Sequence, residues 1–158
     1  MRFIDTLIGA VALVLLATTM GVILNRASTD PVGLLTPFRP RLPARVGEID
    51  APTARRFALL GALFVDAREP EAYRAGHIPG ALNLPAEQVE DRPVAGDLLA
   101  RIREARMVVI YCDGPECLAS FHVARRLRVL GLENLWLMPV GWPGWEAAGN
   151  PRTTGDTP

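Results

Sequence analysis

The sequence predicts an α/β fold, in which a central parallel sheet is flanked by helices and one transmembrane helix precedes the folded domain. Residues 7–24 form an apolar run without a charged side chain. Over residues 46–151, short apolar strand patterns alternate with amphipathic helix patterns. Alternation of this kind is typical of a parallel sheet whose two faces are both covered by helices.

The apolar run predicts a transmembrane helix over residues 4–25. A helix of this length spans roughly 30 Å, the thickness of the hydrocarbon core of a membrane. No clear small-residue cleavage site follows it, which favours an uncleaved anchor over a cleaved signal peptide or a buried helix. Arg26, Arg39 and Arg41 follow the run and only Arg2 precedes it. The positive-inside rule then slightly favours a cytoplasmic location for the domain. We expect a single-pass protein of a bacterial-type inner membrane.

The segment after the predicted helix has the composition of a linker. Residues 26–45 include Pro31, Pro37, Pro40 and Pro43. Such a segment is extended and semi-rigid, and it separates the membrane helix from the domain at 46–151. The polar residues 152–158 are expected to form a disordered tail.

Within the domain, each element is predicted from its hydrophobic period and its flanking residues. Asp50 and Gly61 are start and stop signals for the first helix of the domain. The helix patterns cover residues 52–60, 70–75, 97–105, 120–130 and 142–148. The strand patterns cover residues 63–66, 81–84, 107–111 and 135–138, with the apolar run at 107–111 predicted as the central strand.

The composition excludes several functional classes. The formal net charge is zero, so no bulk electrostatic attraction to nucleic acid is expected. All 17 basic residues are arginine, which excludes lysine Schiff-base chemistry. Two cysteines do not make a disulfide framework, and no His–Cys pair has metal-ligand spacing. We therefore expect no metal and no cofactor.

The residue with the clearest chemical signal is Cys112. It follows the predicted central strand directly, and a loop and an amphipathic helix follow it. Unpaired N–H groups converge at the amino terminus of a helix and favour an anionic thiolate there. Cys112 is thus predicted to be a nucleophile, and a buried core cysteine is the structural alternative.

Two segments of the chain resemble the rhodanese (sulfurtransferase) family. Residues 64–81 read FVDAREPEAYRAGHIPGA, and this segment is similar to the first rhodanese signature. Residues 111–145 resemble the second half of the family pattern, from the strand and the cysteine to the run Gly141-Trp142-Pro143-Gly144-Trp145. The resemblance covers residues 46–151 and implies a small α/β domain with a central parallel sheet.

This resemblance also implies transfer of sulfane sulfur. The Cys112 thiolate would attack thiosulfate or a persulfide, hold the sulfur atom as a persulfide and pass it to a thiol acceptor. The expected partners of the protein are thus a small sulfur donor and a thiol acceptor. The predicted helix at 4–25 adds the membrane, and no protein partner is assigned. Backbone N–H groups of the following loop would bind the anion; the loop consists of Asp113, Gly114, Pro115, Glu116, Cys117, Leu118, Ala119 and Ser120.

The sequence departs from the common family pattern in this loop. The loop is longer than usual before Ser120, and Ala119 stands where an arginine is common. Without that guanidinium, strong turnover of the dianion thiosulfate is not expected. Leu118 stands where the related phosphatases need an arginine, which disfavours phosphatase chemistry.

Four further residues receive roles. Cys117 is a possible resolving thiol for Cys112, with a small apolar loop residue as the alternative. Asp66 and Arg68 are interpreted as a structural pair that supports the loops around the site, with a direct catalytic part as the alternative. His77 is expected to satisfy backbone groups in its turn, since a general-base role would require it to lie near Cys112.

The leading functional hypothesis is therefore a membrane-tethered single-domain sulfurtransferase. The alternative is a non-catalytic rhodanese-like binding module, or a redox switch formed by Cys112 and Cys117. Mass analysis after sulfur-donor treatment separates these hypotheses, since transfer adds a sulfur atom and the switch removes two hydrogens.

Overall fold

The structure is a computed structural model that describes residues 2–28, 42–91 and 93–156. The chain divides into two compact units, with the boundary between residues 38 and 39. The described part of the first unit, residues 2–28, forms one helix, and the second unit contains the predicted α/β domain.

The helix of the first unit, α1, spans Arg2–Ala27. Within its segment Ile4–Ala27, an 18-residue window has a mean hydropathy of 2.5, and none of that window is buried. By length and composition this helix can cross a membrane, and a signal sequence meets the same description. Of the predicted linker at 26–45, residues 29–41 lie outside the described residues.

Among the described residues, five parallel strands form the sheet of the second unit; the sequence predicts the parallel sheet and four of these strands, but not the first. They are β1 (Val46–Glu48), β2 (Leu63–Asp66), β3 (Leu82–Asn83), β4 (Val108–Tyr111) and β5 (Leu135–Met138). The strand order is β1-β5-β4-β2-β3, so β4 occupies the centre. The predicted central strand is therefore confirmed.

In the described part of the second unit, six helices connect and cover these strands. They are α2 (Ala51–Leu59), α3 (Pro70–Ala75), α4 (Ala86–Asp91), α5 (Gly96–Glu104), α6 (Ala119–Val129) and α7 (Gly141–Ala147). The side chain of Asp50 caps α2 by accepting a hydrogen bond of 2.9 Å from the N–H of Thr53. This is the start signal that the sequence predicts.

The sheet separates two hydrophobic cores, because successive side chains of a strand point to opposite faces. Val108 and Ile110 of β4 join one core, which includes Val123 and Leu127 of α6. The intervening Val109 and Tyr111 join the other core, where residues of α2 and α7 pack. Burial on both faces explains why β4 reads as an uninterrupted apolar run.

The end of the chain differs from the disordered tail expected at 152–158. Thr153 exchanges two backbone hydrogen bonds of 2.9 Å with His77, and the N–H of Gly155 donates to the carbonyl of Arg74. These bonds connect residues 152–156 to the turn after α3 despite their polar composition. Residues 157–158 lie outside the described residues.

Candidate active site

The candidate site is the loop that joins β4 to α6, at the carboxyl end of the central strand. Cys112 follows β4 directly, and α6 begins at Ala119. Cys112 is 2% exposed and packs with the core beneath α6. The central position of β4 places this sulfur at the edge of the sheet where ligands of open parallel sheets bind.

A glycine fixes the position of this loop against the turn between β5 and α7. Gly141 has a φ of 58°, a left-handed conformation that favours glycine. A Cβ atom on Gly141 would lie 2.2 Å from the carbonyl oxygen of Cys112 and 2.6 Å from the nitrogen of Gly114. The next N–H, that of Trp142, donates a hydrogen bond of 2.7 Å to the same carbonyl of Cys112. The loop can approach this turn only because residue 141 has no side chain.

The groups around the Cys112 sulfur include both acceptors and donors. The sulfur lies 3.3 Å from the Ser120 hydroxyl oxygen, 3.3 Å from the Cys117 carbonyl oxygen and 3.9 Å from the Gly114 carbonyl oxygen. Carbonyl oxygens only accept hydrogen bonds, so they favour the protonated thiol. The N–H of Ser120 donates to the sulfur and favours the thiolate.

The Cys117 side chain lies where the loop N–H groups were expected to bind the anionic sulfur donor. The N–H groups of Asp113 and Ala119 donate to the Cys117 sulfur, and the Cys112 thiol hydrogen-bonds to it as well. The bond from Cys112 and these two N–H groups lower the pKa of Cys117 to about 6. The bond to Cys117 and burial raise the pKa of Cys112 above its ordinary value. The thiolate expected on Cys112 is thus favoured on Cys117, and the two thiols ionise as a pair.

Cys117 also borders the opening to solvent. It is half-buried and lines a small cavity of about 50 Å³ beside Gly114 and Ser120. Glu48 adds an acidic group to the wall. The rest of the wall is largely apolar and includes Leu42, Pro115, Leu118, Phe121, Leu137 and Pro139. A small sulfur donor that enters this cavity meets Cys117 at its wall.

Asp66 and Arg68 form a buried ion pair next to the loop. The Arg68 guanidinium bonds to the Asp66 carboxylate at 2.6 Å and to the Gly76 carbonyl at 2.6 Å. It lies 5.1 Å from the ring centre of Trp142 and 3.8 Å from the Asp113 carboxylate. Arg68 thereby connects the end of β2 with both the active loop and the start of α7. The supporting role assigned to this pair remains a prediction.

His77 lies in the turn between α3 and β3. The residue is fully buried, and its Nδ1 atom lies 2.9 Å from the carbonyl oxygen of Tyr73. Its ring stacks on the Tyr73 ring with 3.7 Å between the ring centres. These contacts, with the backbone bridge to Thr153, connect the turn to the end of the chain.

Comparison with known proteins assigns the family. The family model of the rhodanese-like domain matches residues 52–148, which is more than half of the chain. This protein belongs to the rhodanese-like domain family. The sulfurtransferase resemblance of the sequence is thus confirmed at the level of the family.

Relatives of this rhodanese-like protein have different names and functions. An HTH-type transcriptional regulator of Mycobacterium tuberculosis is 37% identical over 91 residues, 58% of this chain and 37% of that protein. A dual specificity phosphatase of Arabidopsis thaliana is 26% identical over 55% of this chain and 63% of its own length. A thiosulfate sulfurtransferase of Escherichia coli is 30% identical over 56% of this chain and 22% of its own length. The matched segment is thus less than two thirds of each relative.

A solved structure supports the same fold. The thiosulfate sulfurtransferase of Pseudomonas aeruginosa matches with a TM-score of 0.57 and 29% identity, over 82% of this chain and 23% of that chain. The parallel sheet with β4 at its centre is therefore the rhodanese fold. The names of the relatives show that this fold carries several functions, so the site decides the function of this member.

The sequence did not predict two features of this rhodanese-like site. Gly141 controls the position of the loop, and its place in the Gly141-Trp142 run was the available signal. No sequence signal indicated that the Cys117 sulfur takes the N–H groups of the loop, because this depends on the loop conformation. Among the described residues, no group of three His, Cys, Asp or Glu side chains is arranged to hold a metal ion.

Proposed function

We propose that this rhodanese-like protein is a membrane-tethered, single-domain sulfurtransferase. Cys112 takes a sulfane sulfur from thiosulfate or a persulfide, carries it as a persulfide and passes it to a thiol. The observation that supports this proposal most directly is the position of the Cys112 sulfur, at the end of the central strand and 3.3 Å from the carbonyl oxygen of Cys117. This position puts the Cys117 side chain, a proton acceptor, beside a sulfur that the family uses as its nucleophile.

The first step needs a deprotonated Cys112, and Cys117 provides the base. Cys117 has a pKa of about 6, so it is a thiolate at neutral pH. As the Cys112 sulfur attacks the outer sulfur of thiosulfate and sulfite leaves, the proton of Cys112 passes to Cys117 in the same step. The products are a Cys112 persulfide anion, a neutral Cys117 thiol and sulfite, so atoms and charge balance.

The charges near the cavity favour a donor of low charge. Glu48 lines the cavity, and the exposed side chains of Asp113 and Glu116 belong to the loop itself. Arg68, the cation that reaches the loop, is paired with Asp66. Three carboxylates repel a dianion more than a singly charged persulfide, so we propose that small persulfides are the better donors.

The membrane tether is the second part of this proposal. Helix α1 is uncharged over residues 7–24, and its apolar side chains are exposed. An apolar helix of this length is stable in a lipid environment. Tethering would restrict sulfur transfer to donors and acceptors that reach the membrane surface.

The test of the function measures sulfur transfer by the protein and by variants that lack one of the two thiols. The full-length protein and the variants Cys112→Ser and Cys117→Ser are treated with thiosulfate or with a small persulfide, and consumption of a thiol acceptor is followed. We expect Cys112→Ser to lose all transfer and Cys117→Ser to keep part of it. Full transfer by Cys112→Ser, with none by Cys117→Ser, would assign the nucleophile to Cys117.

A redox switch is the second candidate function, and the same pair of thiols supports it. Mild oxidation would join Cys112 and Cys117 without any sulfur donor. A chain that gains no sulfur from either donor but forms this disulfide with peroxide would favour the switch over the transferase.

A further inference from the structure

The structure contains a second thiol at the site of the proposed persulfide, and this thiol has its own reaction available. We propose that Cys117 discharges the Cys112 persulfide internally, releasing hydrosulfide and leaving a Cys112–Cys117 disulfide. This inference rests on the proposed function, since it begins from the Cys112 persulfide. With this reaction the site acts as a persulfide reductase that releases sulfide. The two electrons that reduce the sulfane sulfur come from Cys112 and Cys117.

Proximity is the first argument. The Cys112 sulfur lies 3.3 Å from the carbonyl oxygen of Cys117, and the two side chains are close enough for each to shift the pKa of the other. The loop therefore brings the backbone and the side chain of residue 117 to the same sulfur atom. An intramolecular thiol held in contact reacts far faster than a thiol from solution, because the entropic cost of the encounter is already met.

Ionisation is the second argument. The N–H groups of Asp113 and Ala119 point at the Cys117 sulfur and stabilise it as an anion. Thiolates are the attacking species in thiol–disulfide exchange, and a thiol whose pKa lies near the ambient pH attacks best. A small apolar residue that merely fills the loop needs no such donors. The directed N–H groups therefore indicate a reactive role for Cys117.

The chemistry is balanced without an added oxidant. The Cys117 sulfur attacks the inner sulfur of the Cys112 persulfide, so a Cys112–Cys117 bond forms and the bond to the outer sulfur breaks. The outer sulfur takes the electron pair of that bond and the proton of Cys117, and it leaves as hydrosulfide. The sulfane sulfur is reduced by two electrons, and the two cysteines are oxidised to a disulfide.

The cycle closes with an external thiol reductant. Cys117 borders the cavity while Cys112 is 2% exposed, so the reductant attacks the Cys117 sulfur and releases Cys112. The cavity of about 50 Å³ admits the end of a slender side chain rather than a bulky group. Glu48 in the cavity wall disfavours anionic thiols there, so the reductant is a small, uncharged thiol or dithiol.

The experiment follows sulfur and hydrogen on one turnover. The full-length protein in detergent is reduced, freed of reductant and treated with one equivalent of a small persulfide donor. Intact mass is read after acid quenching, and released sulfide is measured in the same sample. Cys117→Ser is the main variant, with Cys117→Ala as a second replacement and Cys112→Ser as the control that forms no Cys112 persulfide.

We expect the wild type to lose two hydrogens and release about one sulfide per chain, with no external thiol present. Cys117→Ser and Cys117→Ala should take up sulfur more slowly, keep one added sulfur atom and release at least tenfold less sulfide. If the wild type also keeps the added sulfur and releases none, internal discharge is wrong while sulfur transfer by Cys112 stands. If neither the wild type nor the Cys117 variants gain or release sulfur, the proposed function itself is wrong.

Discussion

The protonation of Cys117 determines how the site responds to pH. Its pKa of about 6 lies below the ordinary thiol value, because the Cys112 thiol and two N–H groups stabilise the anion. The thiolate fraction therefore rises as the pH rises through about 6 and falls in acid. Cys112 behaves oppositely, since the bond to Cys117 and burial keep it protonated at neutral pH.

Alkylation measures this difference directly. We expect iodoacetamide to modify Cys117 first, with a half-maximal rate near pH 6. In Cys112→Ala the hydrogen-bond donor is gone, so the midpoint should move about one unit or more to higher pH. A peptide map of the alkylated protein identifies the residue. Preferential modification of Cys112, or an unchanged midpoint in Cys112→Ala, would contradict the shared hydrogen bond.

A second prediction at this scale concerns the buried ion pair. Asp66 is fully buried and Arg68 is 5% exposed, so neither charge is hydrated. Arg68→Met leaves the Asp66 carboxylate without its partner and should lower the free energy of unfolding by about 3–5 kcal/mol. Urea denaturation measures this loss.

The double variant provides the control for this pair. Asp66→Asn combined with Arg68→Met removes both charges. We expect the double variant to lose less free energy of unfolding than the sum of the losses of Asp66→Asn and Arg68→Met alone. Strictly additive losses would show that the two side chains contribute independently.

At the scale of elements, the approach of the β4–α6 loop to the β5–α7 turn sets the geometry of the site. Gly141→Ala places a methyl group against the backbone of Cys112 and Gly114 and must move the loop. We expect at least a tenfold loss of sulfur transfer, because misplacement of a reacting group by about 1 Å costs this much. Transfer assays with a persulfide donor and a thiol acceptor measure the effect.

Gly149→Ala is the matched control for this loop. Gly149 also has a positive φ, 68°, but a Cβ atom there meets no atom within 4 Å. Both variants carry the backbone strain of a left-handed alanine, and only Gly141→Ala carries the clash. Equal losses of transfer in the two folded variants would mean that strain, and not the position of the loop, reduces activity.

Most elements could be predicted from the sequence, because they carry a clear hydrophobic period or a cap. The span Pro70–Ala75 was predicted as observed, since Pro70 starts the helix and a glycine follows it. Strand β1 was not predicted, because its three residues include Gly47 and lack an apolar run. Helix α4, with Glu87, Gln88 and Glu90, has too few apolar residues to show a period.

The candidate site could be predicted only in part. Cys112 was located correctly at the end of the central strand, since the pattern of strand and helix fixes that position. The sequence could not predict that the Cys117 sulfur accepts hydrogen bonds from the loop N–H groups, because this depends on the conformation of the loop between β4 and α6. The structure gives two of these donors to Cys117.

At the scale of the whole molecule, the two units should separate by truncation. A chain that begins at Leu42 omits α1 but keeps the packing of Leu42 on the core and the bond from the N–H of Val46 to Pro43. We expect this truncated protein to remain in the soluble fraction and to unfold cooperatively, while the full chain partitions into detergent. Aggregation of the truncated protein would show that α1 contributes to the folded domain.

A shorter truncation tests the contribution of Leu42 itself. A chain that begins at Val46 loses this partly buried side chain, and its free energy of unfolding should fall by about 1 kcal/mol relative to the chain that begins at Leu42. Equal stability of the two truncated proteins would show that the domain begins at β1.

The strand order has a consequence for how the chain folds during synthesis. Strand β1 leaves the ribosome first among the strands, yet it lies at the edge of the sheet and pairs with β5, the last strand. Residues 46–48 therefore remain unpaired until residues 135–138 have been synthesised. Pairing across such a long separation is slow, and the edge of β5 stays open to other chains until β1 arrives. A ribosome that stalls before β5 thus leaves an unpaired strand β1 and an incomplete sheet, which is a substrate for chaperones rather than a folded intermediate.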